Sequence, residues 1–158
     1  MIITIYYLEK LHLKHQKFLK DNSNFISCSN RKEIVKKAIE MKFDIIIFDD
    51  GLQEKWINYV SSQNVKTYVF KFKEDLVGFF ELIFHPEKNE IEIAYFGILE
   101  EYQNKKLGSY LLSEAIKKSF KNSVKRVWVH TCSLDHKNAL NNYISRGMKI
   151  FKTEILNI

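Results

Sequence analysis

The stretch Tyr102-Gln103-Asn104-Lys105-Lys106-Leu107-Gly108-Ser109-Tyr110-Leu111-Leu112 decides the fold. Before it runs Glu90-Ile91-Glu92-Ile93-Ala94-Tyr95-Phe96-Gly97-Ile98, rich in β-branched and aromatic residues, which predicts a strand. After it, apolar residues recur at Leu107, Leu111, Leu112, Ala115, Ile116 and Phe120, the spacing of one helical face. A strand therefore enters a short turn that opens directly into a helix. The first turn of a helix leaves backbone N–H groups unbonded at the positive end of its dipole, a ready site for phosphate or pyrophosphate. Gly108 lets a ligand approach the backbone, and Lys105 and Lys106 add positive charge beside it. An ordinary αβ turn with solvated lysines is the competing reading.

The 158 residues suffice for one compact domain with a real core and are too few for two comfortable ones. One proline and five glycines argue against disorder or collagen-like architecture. The net charge of +6 suits a phosphate-rich ligand, while the lack of a basic block argues against nucleic acid as partner. Cys28 and Cys132 have neither C-x-x-C nor metal spacing and predict free thiols. Met1 to Glu9 is apolar but lacks a basic start and a cleavage site, so a strand is expected, with a cytoplasmic protein and no membrane partner.

Lys10 to Lys20 is expected to be helical; His12 and His15 on it lack a third ligand, so no metal is expected. A second helix is expected from a cap at Ser29 or Asn30 to about Met41, then a buried strand over Phe43–Phe48. Residues 30–53, with Asp49-Asp50-Gly51-Leu52-Gln53, resemble the D-D-G-x-Q segment of tetraacyldisaccharide 4'-kinases. No Gly-rich Walker-type loop accompanies it, and a turn in which Gly51 takes a positive φ accounts for the same residues. Trp56, Ile57 and Val60 predict a short amphipathic helix. Strands follow at Val65–Phe72 and Leu76–Phe84, with turns at Lys73-Glu74-Asp75 and Pro86-Glu87-Lys88-Asn89. Val127–Thr131 is a fifth strand, parallel to the fourth because a helix separates them. Asp135–Arg146 is expected to be a helix closed by Gly147, and Met148–Glu154 a final strand.

Residues 103–109 resemble the acyl-CoA loop Q/R-x-x-G-x-G/A of the GCN5-related N-acetyltransferases (GNAT), although Lys106 stands where the first glycine is usual. Ala139, Tyr143 and Gly147 match the helix pattern N-x-x-A-x-x-x-Y-x-x-x-G-F, with His136 at the usual asparagine, Asn138 two places later, and Met148 for phenylalanine. The likeness covers about Trp56 to Glu154 plus the opening strand. It implies an α/β (α+β) fold: a mixed, mostly antiparallel central sheet with helices on both faces and a V-shaped splay between the fourth and fifth strands. It also implies a single domain over 1–158, with an atypical part at 1–55 and a CoA-binding core at 56–158. Where the family ends in a two-stranded hairpin, one strand remains here, so its edge is exposed or covered by a second copy in a homodimer.

The resemblance further implies an enzyme that transfers acetyl from acetyl-CoA to a primary amine of a small molecule or protein. An inactive acyl-CoA-binding module and a kinase-related fragment are the alternatives. Gln103, Asn104, Lys105, Lys106, Leu107, Gly108, Ser109 and Asn138 would bind the CoA, and the backbone at Phe96, Gly97 and Ile98 the thioester oxygen. Glu92 falls where histone-type members carry a general base, and Tyr143 where many carry the acid for the thiolate. Glu92 on the wet face of a hairpin and Tyr143 as a packing residue are the structural readings; His130 and His136 are reserve bases.

Overall fold

The computed structural model describes residues 1–11, 25–27, 58–59, 61–72, 75–121 and 123–157. Strand β1 is Ile2–Leu11, β2 Phe25–Ser27, β3 Val65–Phe72, β4 Asp75–His85, β5 Glu90–Ile98, β6 Arg126–Cys132 and β7 Lys149–Asn157. A short 3₁₀ turn occupies Glu100–Tyr102, helix α1 Leu107–Phe120 and helix α2 Ala139–Ser145. The strands form one sheet in the order β2-β3-β4-β5-β6-β1-β7. Every neighbouring pair is antiparallel except β5 and β6. This is the mixed, mostly antiparallel sheet expected, parallel where a helix joins two neighbouring strands.

Alternation along the strands divides the side chains between two faces. Phe80 and Leu82 of β4, Ile91 and Ile93 of β5, and Val127 and Val129 of β6 turn toward α1. They pack there against Leu111, Leu112, Ala115 and Ile116, all nearly inaccessible to solvent. Burying an aliphatic side chain of this size stabilises by about 1.5–3 kcal/mol, so this layer is the main source of cohesion. Arg126 ties three strands at one end of the sheet. Its guanidinium donates to Glu9 on β1 at 2.9 Å and to Glu90 on β5 at 2.8 Å.

Several boundaries differ from the sequence reading. Lys10 and Leu11 extend β1 instead of starting a helix, because their ladder with Val127 and Arg126 continues unbroken. Asp135 does not open the helix that ends near Arg146. Its carboxylate accepts the Thr131 hydroxyl at 2.5 Å and the Cys132 amide at 3.0 Å, winding residues 133–138 into turns before α2 starts at Ala139. The last strand runs three residues further, to Asn157, since it stays paired with β1 as far as Ile2. The helices expected over 12–20 and 30–41, the strand at 43–48, the kinase-like segment 30–53, Trp56 and Cys28 lie outside the described residues.

The end of α2 follows its sequence signal closely. Gly147 has φ +79, its amide donates to the Ile144 carbonyl, and the Met148 amide donates to Tyr143. That is the paired 5→2 and 6→1 closure of a Schellman motif. Gly78 is held by crowding instead: a Cβ there would lie 2.4 Å from the Gly97 carbonyl oxygen and 2.8 Å from Ile98 Cδ1. Gly78→Ala must therefore push β4 and β5 apart. We expect it to lower stability by about 1–3 kcal/mol, read as a fall in Tm, and melting at the wild-type temperature would contradict this packing.

Candidate active site

Strands β5 and β6 share only three residue pairs, Glu90 with Arg126, Ile91 with Val127 and Glu92 with Trp128. Beyond them the strands part. On its other side β5 carries a bulge: Tyr95 pairs with Glu81 and Ile93 with Leu82, so Ala94 is the extra residue. A bulge increases local twist and re-aims the residues after it. The parted strands open a cleft of about 930 Å³, lined by β4, β5 and β6, the start of α1, and α2.

One end of the cleft is built by the turn entering α1. Asn104 and Lys106 have φ of +59 and +62, the left-handed region. Asparagine tolerates this better than most residues, whereas Lys106 holds a conformation best suited to glycine. The turn is braced by the Gln103 side chain, whose amide donates to the Ile98 carbonyl at 3.2 Å. The N-cap residue, Lys106, makes no side-chain capping bond, and the first backbone bond of α1 runs from Tyr110 N–H to the Lys106 carbonyl. Helix starts ordinarily recruit a Ser, Thr, Asp or Asn oxygen for these donors, so an uncapped start facing a cleft suits an external anion.

Of the residues assigned to CoA, Phe96, Gly97, Ile98, Gln103, Asn104, Lys106, Gly108, Ser109 and Asn138 line this cleft. The other two point elsewhere. Leu107 packs against the core, and the Lys105 ammonium lies 5.3 Å from the centre of the Tyr102 ring. Ser109 Oγ donates to Asn142 Oδ1 at 3.1 Å, joining α1 to α2 beneath the cleft.

Tyr143 lines the same cleft and is 7 % exposed, with its ring edge-on to Phe96. Burial, helped by the nearby Asp135 carboxylate, pushes its hydroxyl well above the ordinary tyrosine range. It therefore stays protonated, as a proton donor must. Glu92 is placed differently. Its carboxylate lies 3.1 Å from His85 Nε2 and 3.8 Å from His130 Nδ1, and it does not line the cleft, whereas His130 does. His136 also borders the cleft, with its Nδ1 accepting the Asn138 amide at 3.2 Å.

Two carboxylates on the cleft wall escaped the sequence reading, Asp135 and Glu81. Glu81 interrupts the apolar run Leu76–Phe84, and that interruption was its only signal. It is 3 % exposed and accepts the Tyr59 hydroxyl and the Thr67 hydroxyl, each at 2.5 Å. Burial and then this carboxylate raise the Tyr59 hydroxyl far above its usual value; burial, Glu81 and Glu92 raise Tyr95.

The acetyltransferase (GNAT) family model matches residues 33–148, well over half of the chain. The chain belongs to the GNAT family. No curated protein matches the sequence. Among solved structures, the GNAT fold is shared with a GCN5-related N-acetyltransferase from Sphaerobacter thermophilus, at TM-score 0.73 and 13 % identity over 98 % of this chain and 50 % of that one. A GNAT-family protein from Novosphingobium aromaticivorans gives TM-score 0.69 and 12 % identity over 98 % and 63 %. The chain thus spans one half to two thirds of the length of these two. A spermidine N-acetyltransferase chimera from Vibrio cholerae and hSSAT gives TM-score 0.62 and 16 % identity over 78 % of both chains. At these identities the likeness is one of fold.

A GNAT acyl-CoA would meet a fitting donor set here: an uncapped helix start, the Lys106 ammonium, and room beside Gly108, where even an added Cβ would find its nearest neighbours at 3.8 Å. Lys106→Gly separates the two contributions of that residue. A left-handed conformation costs a Cβ-bearing residue about 1–2 kcal/mol, partly offset by the greater backbone entropy of glycine. Stability is expected to hold or rise by up to about 1 kcal/mol. CoA affinity is expected to fall several-fold, and more at low than at high ionic strength, in calorimetric titrations at two salt concentrations.

Proposed function

We propose that the chain is a single acyl-CoA domain over residues 1–158 that transfers an acetyl group to a primary amine. The observation that carries this reading is the uncapped start of α1, which opens on a cleft extending to Tyr143. Acetyl-CoA supplies the acetyl group there as a thioester. The first-turn amides of α1, Lys106 and Ser109 would hold its phosphates, and Asn138 lines the same cleft. The unpaired edge of β5 at Phe96–Ile98 supplies N–H donors for the thioester oxygen.

Two groups manage protons. The raised Tyr143 hydroxyl keeps the proton that the departing sulfur takes. His130, on the cleft wall, receives the proton of the amine, and Glu92 stands behind its Nδ1 as the compensating anion. The Glu92 assignment thereby becomes indirect: the carboxylate acts through a histidine and not on the amine itself. Among the described residues no helix is long and apolar enough to cross a membrane, which says nothing of a β-barrel.

Release of free CoA thiol from acetyl-CoA, screened against a panel of amines that includes spermidine, tests the reading directly. Failure to bind CoA at millimolar concentration would overturn it. Tyr143→Phe is expected to lower kcat by about 100-fold and Glu92→Gln by about 10-fold, with CoA affinity kept in both. Because Tyr143 is raised, wild-type kcat should show no falling limb near the ordinary tyrosine value of about 10. Unchanged turnover in both variants would remove the two residues from the mechanism.

A further inference from the structure

The Glu81 carboxyl group has an unusual setting. The residue is 3 % exposed, it lines the cleft, and its partners among the described residues are two neutral hydroxyls, Tyr59 and Thr67. A buried carboxylate usually faces a cation, since an unpaired charge away from water is costly. Two hydroxyl donors also leave part of its acceptor capacity open, as an ionised carboxylate has about four lone-pair sites. In the sheet Glu81 sits between Thr67 on β3 and Tyr95 on β5. Tyr95 directly precedes Phe96-Gly97-Ile98, so the carboxylate lies one residue in register from the proposed thioester position. Phe79, two residues along β4, and Tyr95 give the cleft aromatic surface beside it.

Resting on the acyl-transfer reading, we propose that Glu81 is the docking anion for the acceptor, which enters as a primary alkylammonium. The charged head completes the hydrogen bonding of the carboxylate, and the methylene stem lies against Phe79 and Tyr95. Alcohols, carboxylates and other heads without positive charge are excluded, because they would leave the buried anion uncompensated or repel it. The site selects acceptor class by charge and does not itself take the proton.

The test compares 1-aminopentane with its neutral isostere pentan-1-ol by ligand-observed NMR titration, first on the protein alone and then with CoA. Wild type should bind the amine at least ten-fold more tightly than the alcohol. Glu81→Gln, which keeps size and shape, should erase that preference, while Thr67→Val, which leaves the carboxylate in place, should retain it; Glu87→Gln on the exposed turn is the charge-matched control. Equal binding of amine and alcohol by wild type would overturn the proposal even if Glu81→Gln does not fold. So would a preference that survives Glu81→Gln. An amine preference without CoA binding would sustain the docking site and count against acyl transfer alone, so the two failures can be told apart.

Discussion

A parallel ladder that stops after three residue pairs is the constraint on which this molecule depends. Hydrogen bonding within a sheet is self-propagating, so two neighbouring strands part only when something else satisfies or accommodates the freed edge. Here the bulge at Ala94 alters the twist of β5 just where the parallel pairing ends, and the turn before α1 takes over beyond Ile98. The candidate cleft is thus a fault in the sheet. Its opposite end is held shut: the bifurcated ion pairing of Arg126 with Glu9 and Glu90 fastens β6 to both neighbours. One end is pinned by charge and the other left available to an outside anion.

The same division separates the two faces of the sheet. The face under α1 is aliphatic and nearly dry, which gives the strands a rigid floor. The other face carries Thr67, Glu81, Glu92, Trp128 and His130, polar or aromatic groups instead of aliphatic ones. Tyr143 belongs to the first face by burial and to the cleft by position. That dual membership explains why its packing and catalytic readings cannot be separated by inspection of sequence.

Elements with strong periodicity could be read from the residues alone. The strand over 90–98, the helix from Leu107 and the closing Gly147 fall where apolar spacing and turn chemistry put them. Lys106 is instructive, because the departure from glycine marked the position at which the backbone is in fact left-handed. What escaped depended on contacts distant in sequence. Asp135 looked like the start of a helix, and only its bonds to Thr131 and Cys132 make it a turn. Glu92 was placed by counting along its strand, which fixes the face of the sheet but not whether its carboxylate reaches the cleft beside His85 and His130. Glu81 required knowing that Thr67 stands opposite it on another strand.

The outermost strand, β7, pairs with β1 alone among the described residues and leaves its other rim free of ladder partners. Ile150, Phe151, Ile155 and Leu156 are exposed along it, a composition that invites open-ended stacking of one molecule on the next. Lys149 and Lys152 interrupt that greasy margin, and Lys152 is anchored both to Glu154 and over the Tyr7 ring. Any incoming rim would have to desolvate these ammonium groups. Two lysines distant from the cleft thus set charge along an otherwise apolar margin, a feature that discourages edge-to-edge pairing.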